Sequence, residues 1–354
     1  MSVSLNIRER VRLVVAACFY YSGMVKLAHW RIRRAGQQLI ILNFHRATGG
    51  DLRSQMLYLR HHYRILHLEA ALEEFYANRN EGITARDRRI PLVLTFDDGY
   101  HDNYTHGFAL ARELQVPITI FLIPGYIESG EYFWWLEGKR LVQRAQVNEV
   151  TIDGCTYHLV AKKEQKALAQ TLDGRLRYAS SVAEREALLA TFREALAVPS
   201  HVLVEEERTR PLTWAEVHKM AESGWVSFGA HTMHHPILAY LKDPQEVQHE
   251  VEQCRDLLEQ QLGHPVRTFA YPVGQLKHIG DRVLHAVQQV GYDWSLTTRY
   301  GCNTPRSAPY LLRRIEVDVN QHWLVMAAET ACLWGIFARL RWIPLLRKHL
   351  RGKD

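Results

Sequence analysis

Ile90-Pro91-Leu92-Val93-Leu94-Thr95-Phe96-Asp97-Asp98-Gly99-Tyr100 is the stretch from which the rest of this 354-residue chain is read. Its first seven residues are mostly apolar, with basic residues before them and Asp-Asp-Gly after, the pattern of a buried strand running into a turn. Adjacent side chains at a strand end point in different directions, so one carboxylate can bind a cation while its neighbour stays free beside it. A second strand-like run, Gly224-Trp225-Val226-Ser227-Phe228-Gly229-Ala230, leads into His231-Thr232-Met233-His234-His235-Pro236. There His231 and His235 stand four residues apart, and one turn of chain brings both imidazoles to one cation. Two His and one Asp with open positions suit Zn²⁺. Co²⁺, Ni²⁺ or Fe²⁺ fit the same ligands, because geometry and availability select the metal more than affinity does. Taken singly, Asp97-Asp98-Gly99 also reads as a turn and the histidines as a surface loop in a chain that has 19 of them.

Working outward, strands near 39–45, 91–96, 116–122, 226–230, 267–271 and 294–298 alternate with helical patterns at 104–115, 213–223, 244–262 and 281–290. That alternation predicts a mostly parallel α/β barrel. Residues 130–210 break it: Tyr132-Phe133-Trp134-Trp135 is followed by a charged, Ala/Leu-rich helical stretch, which reads as an insertion near the mouth of the site. Trp134 and Trp135 either stack on a sugar or anchor the insertion. At 47% hydrophobic and 23% charged residues the chain can bury one large core, so a single catalytic domain with additions is expected. The additions are a basic amphipathic segment at 1–36 and a basic amphipathic helix at 319–354, flanking a barrel at 37–318.

The blocks and their order resemble the polysaccharide deacetylase (NodB-homology) family of carbohydrate esterases. The resemblance rests on Leu39-Ile40-Ile41-Leu42-Asn43-Phe44-His45-Arg46, Thr95 to Tyr100, Val116 to Leu122, Leu212-Thr213-Trp214, His231 to Pro236, and Arg267-Thr268-Phe269-Ala270-Tyr271-Pro272-Val273-Gly274, and it runs from about 39 to 318. It implies a distorted, often seven-stranded barrel, with Asp98, His231 and His235 binding a divalent metal and Asp97 as the general base that activates water. Tyr100, Tyr271 and Pro272, in the matching blocks, are taken as substrate contacts. The activity implied is metal-dependent hydrolytic N-deacetylation of an amino sugar in a polysaccharide, an oligosaccharide or a lipid-linked saccharide. O-deacetylation or deformylation of a lipid-linked sugar would use the same constellation.

Three departures from the family pattern bear on this reading. The Arg that often follows the Phe of the third block, where it steadies the catalytic Asp, is Ala270 here, so the orienting role passes to Arg314, with Arg267 and Arg299 behind it. The usual Leu-x-His, source of the general acid, is replaced by Arg314-Ile315-Glu316-Val317-Asp318, and His45, at the end of the opening strand, becomes the candidate acid. The Ser that precedes the first metal His is Ala230. A missing acid and a missing Arg also fit a catalytically silent saccharide-binding protein, against which the intact Asp97, Asp98, His231 and His235 argue.

The ends differ from the body. Residues 1–36 and 339–354 hold 13 Lys and Arg against Glu9 and Asp354, a net +11, so with +6 for the whole chain the body carries about −5. Between those charges lie the apolar stretches Val11 to Leu27 and Trp323 to Leu346, with Leu333, Phe337 and Leu340 at helical spacing beside Trp334 and Trp342. Neither stretch supplies the roughly 20 uninterrupted apolar residues of a comfortable span, whereas basic amphipathic helices fit contact with a membrane surface. Packing of both helices on the barrel is the alternative. The expected location is cytoplasmic and peripheral to the membrane, with a signal anchor as the other possibility; no A-x-A-like cleavage site follows the first stretch. Five cysteines, an odd number without paired spacing, do not form a disulfide framework and point to a reducing compartment. Nucleic acid is not expected as a partner, because the body is acidic and no stacking or groove-reading module is visible.

Overall fold

The computed structural model describes residues 7–77, 87, 89–199 and 209–333. Ten strands are present among them: β1 (Ile40–Phe44), β2 (Tyr63–Ile65), β3 (Ile90–Phe96), β4 (Ile118–Leu122), β5 (Glu149–Ile152), β6 (Cys155–His158), β7 (Val226–Ala230), β8 (Thr268–Ala270), β9 (Trp294–Tyr300) and β10 (Leu312–Glu316). Seven of them form a closed parallel ring in the order β1-β10-β9-β8-β7-β4-β3 and back to β1, while β2 pairs with the first residues of β3. Closure leaves no free edge in the ring, and burial on both faces explains why these strands read as continuous apolar runs.

Strand parity divides the core. Outward-facing Ile40, Leu42, Phe44, Leu92, Leu94 and Phe96 pack beneath the surrounding helices. Inward-facing Leu39, Ile41, Val93, Phe121, Leu296 and Leu312 fill the lumen, and Leu68, Leu72 and Phe75 of the helix Leu68–Ala77 pack with them. Further along the strands the interior turns polar, with Asn43, Thr95, Asp97 and Arg314 all buried. The arginine-rich run at 312–315, not expected as a strand, is β10, which closes the ring against β1 through Leu42↔Ile315 and Asn43↔Glu316.

Within the 130–210 stretch, helices Trp134–Arg144, Lys162–Arg177 and Val182–Ala195 and the β5–β6 hairpin build a second core around Leu141, Leu168, Leu172, Leu189 and Phe192. Tyr100, Phe133 and Trp134 belong to the same cluster and tie it to the end of β3.

At the N-terminus the helices Ile7–Tyr21 and Met24–Arg34 meet at Gly23, whose φ of 81° suits glycine. Ala16 packs on Leu324, Val325 and Ala328 of the helix Trp323–Thr330, and Arg12 donates to the buried Glu329. Trp323 stacks on Tyr58, and Leu333 is buried against Val25. The described part of the expected C-terminal interfacial helix is therefore packing: its apolar side chains are used inside the molecule. Trp334, Phe337, Leu340, Trp342 and the basic cluster beyond them lie outside the described residues. Cys302 and Cys332, 30 positions apart, bring their Sγ atoms to 2.6 Å, a pairing the spacing of the cysteines did not suggest.

Candidate active site

The ends of β3 and β7 deliver the two blocks to one place. Asp98, with φ 74°, and Gly99, with φ 68°, turn the chain sharply after β3, a left-handed conformation that Asp tolerates better than most residues. Thr232 and His235 hold φ values of 65° and 56° in the loop after β7, and Val273 holds 60° after β8. Such strain persists only where surrounding contacts over-determine it. Here His231 N–H donates to the Leu122 carbonyl, His235 N–H to Thr232 Oγ1, and Gly125 N–H to the Met233 carbonyl. A Cβ on Gly125 would stand 2.4 Å from that carbonyl oxygen, so only glycine lets the helix Pro124–Ser129 come this close.

Asp98 Oδ1 lies 3.5 Å from His231 Nε2 and 3.7 Å from His235 Nε2, with all three residues buried. Those separations exceed a hydrogen bond and approach the roughly 3.4 Å edge of a tetrahedron built on metal–ligand bonds of about 2.1 Å. His231 Nδ1 sits 2.7 Å from the Ala270 carbonyl, which fixes the Nδ1–H tautomer and leaves the Nε2 lone pair facing Asp98. Burial pushes His235 down to about 3, reinforced by the charge of His231. For His231, burial opposes the charged form, but Asp98 and Asp97 outweigh it and hold its pKa above the ordinary value. The third histidine of the block, His234, is turned away, with its Nδ1 2.6 Å from Glu250 Oε1 and its N–H donating to Glu250 Oε2.

Asp97 follows the inward parity of Val93 and Thr95 and meets Arg314 from β10 on the opposite side of the β1 backbone. Arg314 Nη1 donates to Asp97 Oδ1 at 2.7 Å and Nη2 to Oδ2 at 2.8 Å, a bidentate pair with both side chains almost fully buried. Nη1 also reaches Asn43 Oδ1 and Thr95 Oγ1, and Nε donates to the Thr297 carbonyl. Burial alone would raise the Asp97 carboxyl, but the guanidinium of Arg314, the charge of His231 and the paired hydrogen bonds hold it well below the usual carboxylate range. Of the other two arginines weighed for this role, Arg267 instead pairs with Glu73 and Asp293 at the surface, and Arg299 borders a separate cavity with Cys302 and Arg313. Ala270 contributes its carbonyl, not a side chain.

A cavity of about 420 Å³ opens over these groups, bordered by His45, Asp97, Asp98, Tyr100, Trp134, Trp135, His231 and His235. Its size is that of a small-ligand pocket. Trp135 packs its ring 4.4 Å from that of His235 and donates Nε1–H to the Tyr100 hydroxyl at 2.7 Å, so Tyr100 is placed on the wall. Trp134 is 3% exposed and donates to the His235 carbonyl at 3.1 Å. It anchors the insertion to the loop after β7, the packing alternative of the two, while still bordering the cavity. Tyr271 is corrected: at 1% exposure its hydroxyl is engaged by Ser295 and the Tyr310 carbonyl, away from the cavity. Pro272 is buried and shapes the turn at Val273, whose side chain does border the space. Glu316, Arg177, Gln275 and Thr298 also line the cavity. Glu316 lies two positions from Arg314 on β10 and so shares its face, but that strand was not expected from the sequence, and Arg177, from an insertion helix, had no local signal either.

A sequence profile of the polysaccharide deacetylase family matches residues 85–295. YxkH of Bacillus subtilis (strain 168), a candidate polysaccharide deacetylase, is 29% identical over 107 residues, covering 30% of this chain and 37% of that protein. The fold is similar to that of Streptococcus pyogenes deacetylase PplD in complex with acetate, with a TM-score of 0.53 at 17% identity over 83% of this chain and 98% of that one. IcaB from Ammonifex degensii gives 0.52 at 18% identity over 84% and 98% of the two chains. The de-N-acetylase from Aggregatibacter actinomycetemcomitans gives 0.51 at 13% over 82% and 98%. The profile spans most of the barrel and both blocks from which the cavity is built, and this chain belongs to the polysaccharide deacetylase family.

Proposed function

We propose that the protein hydrolyses the N-acyl bond of an amino sugar, most simply N-acetyl, in a saccharide that is free or carried on a lipid. The observation that carries this reading is the placing of one carboxylate, Asp97, in a bidentate clasp beside a separate Asp-His-His set, both facing one cavity. Asp98, His231 and His235 are the residues that would hold a divalent cation, with Zn²⁺ the best match to two imidazoles and a carboxylate. A cation bound there supplies Lewis acidity toward the acyl carbonyl and acidifies a water molecule.

The chain's own groups divide the remaining work. Asp97, kept ionised and fixed by Arg314, accepts the water proton on the lone pairs that the guanidinium leaves free. A backbone N–H near Tyr100 would meet the negative charge that develops on the acyl oxygen. His45, at the end of β1 on the cavity wall, donates a proton to the departing amine. Trp135 and Tyr100 form a wall against which a sugar ring packs, and Glu316 offers a carboxylate to its hydroxyls.

The test is a comparison of variants. His231→Ala and His235→Ala are expected to lose bound metal, by elemental analysis, together with release of acetate from N-acetylated amino-sugar oligomers. Asp97→Asn is expected to keep the metal and lose turnover. Full metal occupancy in both histidine variants, or near-normal turnover in Asp97→Asn, would overturn the assignment. Release of acetate from O-acetylated oligomers alone would select the esterase chemistry.

A further inference from the structure

Seven of the twelve large hydrophobic side chains that stand exposed among the described residues lie within the first two helices: Ile7, Val11, Val14, Tyr21, Met24, Leu27 and Trp30. On Ile7–Tyr21 the spacing of Ile7, Val11, Val14, Cys18 and Tyr21 follows i, i+4, i+7, i+11 and i+14, a single narrow stripe along the outer face. Val11 is 58% exposed and Val14 62%. The inner face of this helix is already occupied, by Ala16 against Leu324, Val325 and Ala328. The helix is thus apolar on two opposite sides, a pattern that belongs to a helix covered on both.

The second helix completes the surface. Met24–Arg34 buries Val25 and His29 and turns outward Leu27 and Trp30 together with the exposed Lys26, Arg31, Arg33 and Arg34. Arg34 lays its guanidinium 4.5 Å from the centre of the Trp30 ring. No single helix among the described residues is long and apolar enough to cross a membrane, and the two helices are bent by 67°. An apolar stripe adjoining Trp and a row of Arg and Lys is the composition of a surface lying in the headgroup region of an anionic bilayer, with apolar side chains reaching the acyl boundary and cations meeting lipid phosphate.

We propose that the outer face of Ile7–Tyr21 and Met24–Arg34 docks the enzyme on an anionic lipid bilayer. Four exposed cations on one short helix and a stripe with no charge in it set the two contributions apart: the cations draw the protein to the surface and the stripe holds it there. The binding is read without turnover, so it stands or falls separately from the hydrolytic reading.

The full-length protein is floated with vesicles of phosphatidylcholine containing phosphatidylglycerol, and with vesicles of phosphatidylcholine alone. Co-flotation with the anionic vesicles is expected, weakened several-fold as salt rises to about 0.5 M and the screening length shrinks to a few ångströms. Val11→Asp combined with Val14→Asp, at two exposed positions away from the packed face, is expected to lower the bound fraction at least about tenfold. The same variant should keep the wild-type circular dichroism spectrum and urea-unfolding midpoint, which shows that it is folded. Wild-type protein that stays with the soluble fraction overturns the proposal. So does a double variant that floats as well as wild type. A salt-insensitive dimer that the double variant dissolves, with no vesicle binding, would show that a second copy of the chain covers the stripe.

Discussion

Replacing Arg314 with Met removes the guanidinium while keeping much of its volume. Asp97 then loses both donors at 2.7 and 2.8 Å and remains a carboxylate surrounded by buried groups. Breaking one side of a buried pair costs about 3–5 kcal/mol, because the partner left behind has neither water nor a counter-charge. The bidentate geometry and the near-zero exposure of both partners place this pair toward the upper end. Asn43 Oδ1 and the Thr297 carbonyl lose donors as well, which adds to the cost. Urea unfolding followed by fluorescence is expected to show a lower midpoint with an unchanged slope, so that the change is one of stability and not of compactness. The second arm is Arg314→Met with Asp97→Asn, which removes both charges. It should recover about 2 kcal/mol or more relative to Arg314→Met, since the pair's partners are coupled. Hydrolysis should be absent in both, because neither retains an oriented carboxylate. Arg314→Lys should lie between, a point charge being unable to make the paired contact. Equal midpoints for wild type and Arg314→Met, or a double variant no more stable than Arg314→Met, would refute the reasoning.

Three further outcomes are expected. Trp135→Ala should raise the KM for oligosaccharide with a smaller effect on kcat, since its ring and its hydrogen bond to Tyr100 form the wall and not the reacting group; an unchanged KM would remove it from the binding surface. His29 is 5% exposed, with Nε2 2.6 Å from the Tyr63 hydroxyl, and burial, then the charges of His62 and Arg33, push it down to about 4. Because the unfolded imidazole titrates near 6.5, the folded state is undisturbed above that pH and loses on the order of 3 kcal/mol as the pH falls from about 6.5 to 4; thermal melts should show that slope, and His29→Gln should flatten it. Cys302 and Cys332, with sulfurs at 2.6 Å, should join on incubation with glutathione disulfide, two thiols becoming one disulfide and one equivalent of the oxidant becoming two of glutathione. Peptide mass spectrometry should find that cross-link, and thiol titration should count two fewer reactive thiols, whereas Cys302→Ser should show neither change.

Local chemistry made the barrel and the Asp-His-His group legible in the sequence. β3 and β7 are apolar runs that end in Asp-Asp-Gly and His-Thr-Met-His-His, and both the alternation of strands and helices and the four-residue spacing of His231 and His235 depend only on neighbours along the chain. His234 shows the boundary of that reading: nothing in the spacing says that it faces Glu250, 16 residues on, and not Asp98 with the other two histidines. Arg314 is the sharper case. A run of arginines reads as a solvated face, and only closure of the ring, which sets β10 beside β1, carries one of them across the lumen to Asp97, 217 positions away in the chain. The same closure makes a strand of 312–316, whose charge hid it, and turns Glu316 into the cavity. Trp134 and Trp135 are adjacent and chemically alike, yet the packing of the insertion buries one as an anchor and leaves the other on the wall. Charge at the termini was plain from composition, but which side chains face outward was decided by what Ala16 and Val25 pack against. Properties carried by neighbours in sequence were determined by the chain itself, whereas those that join distant segments awaited the fold, because burial and pairing depend on which surfaces meet.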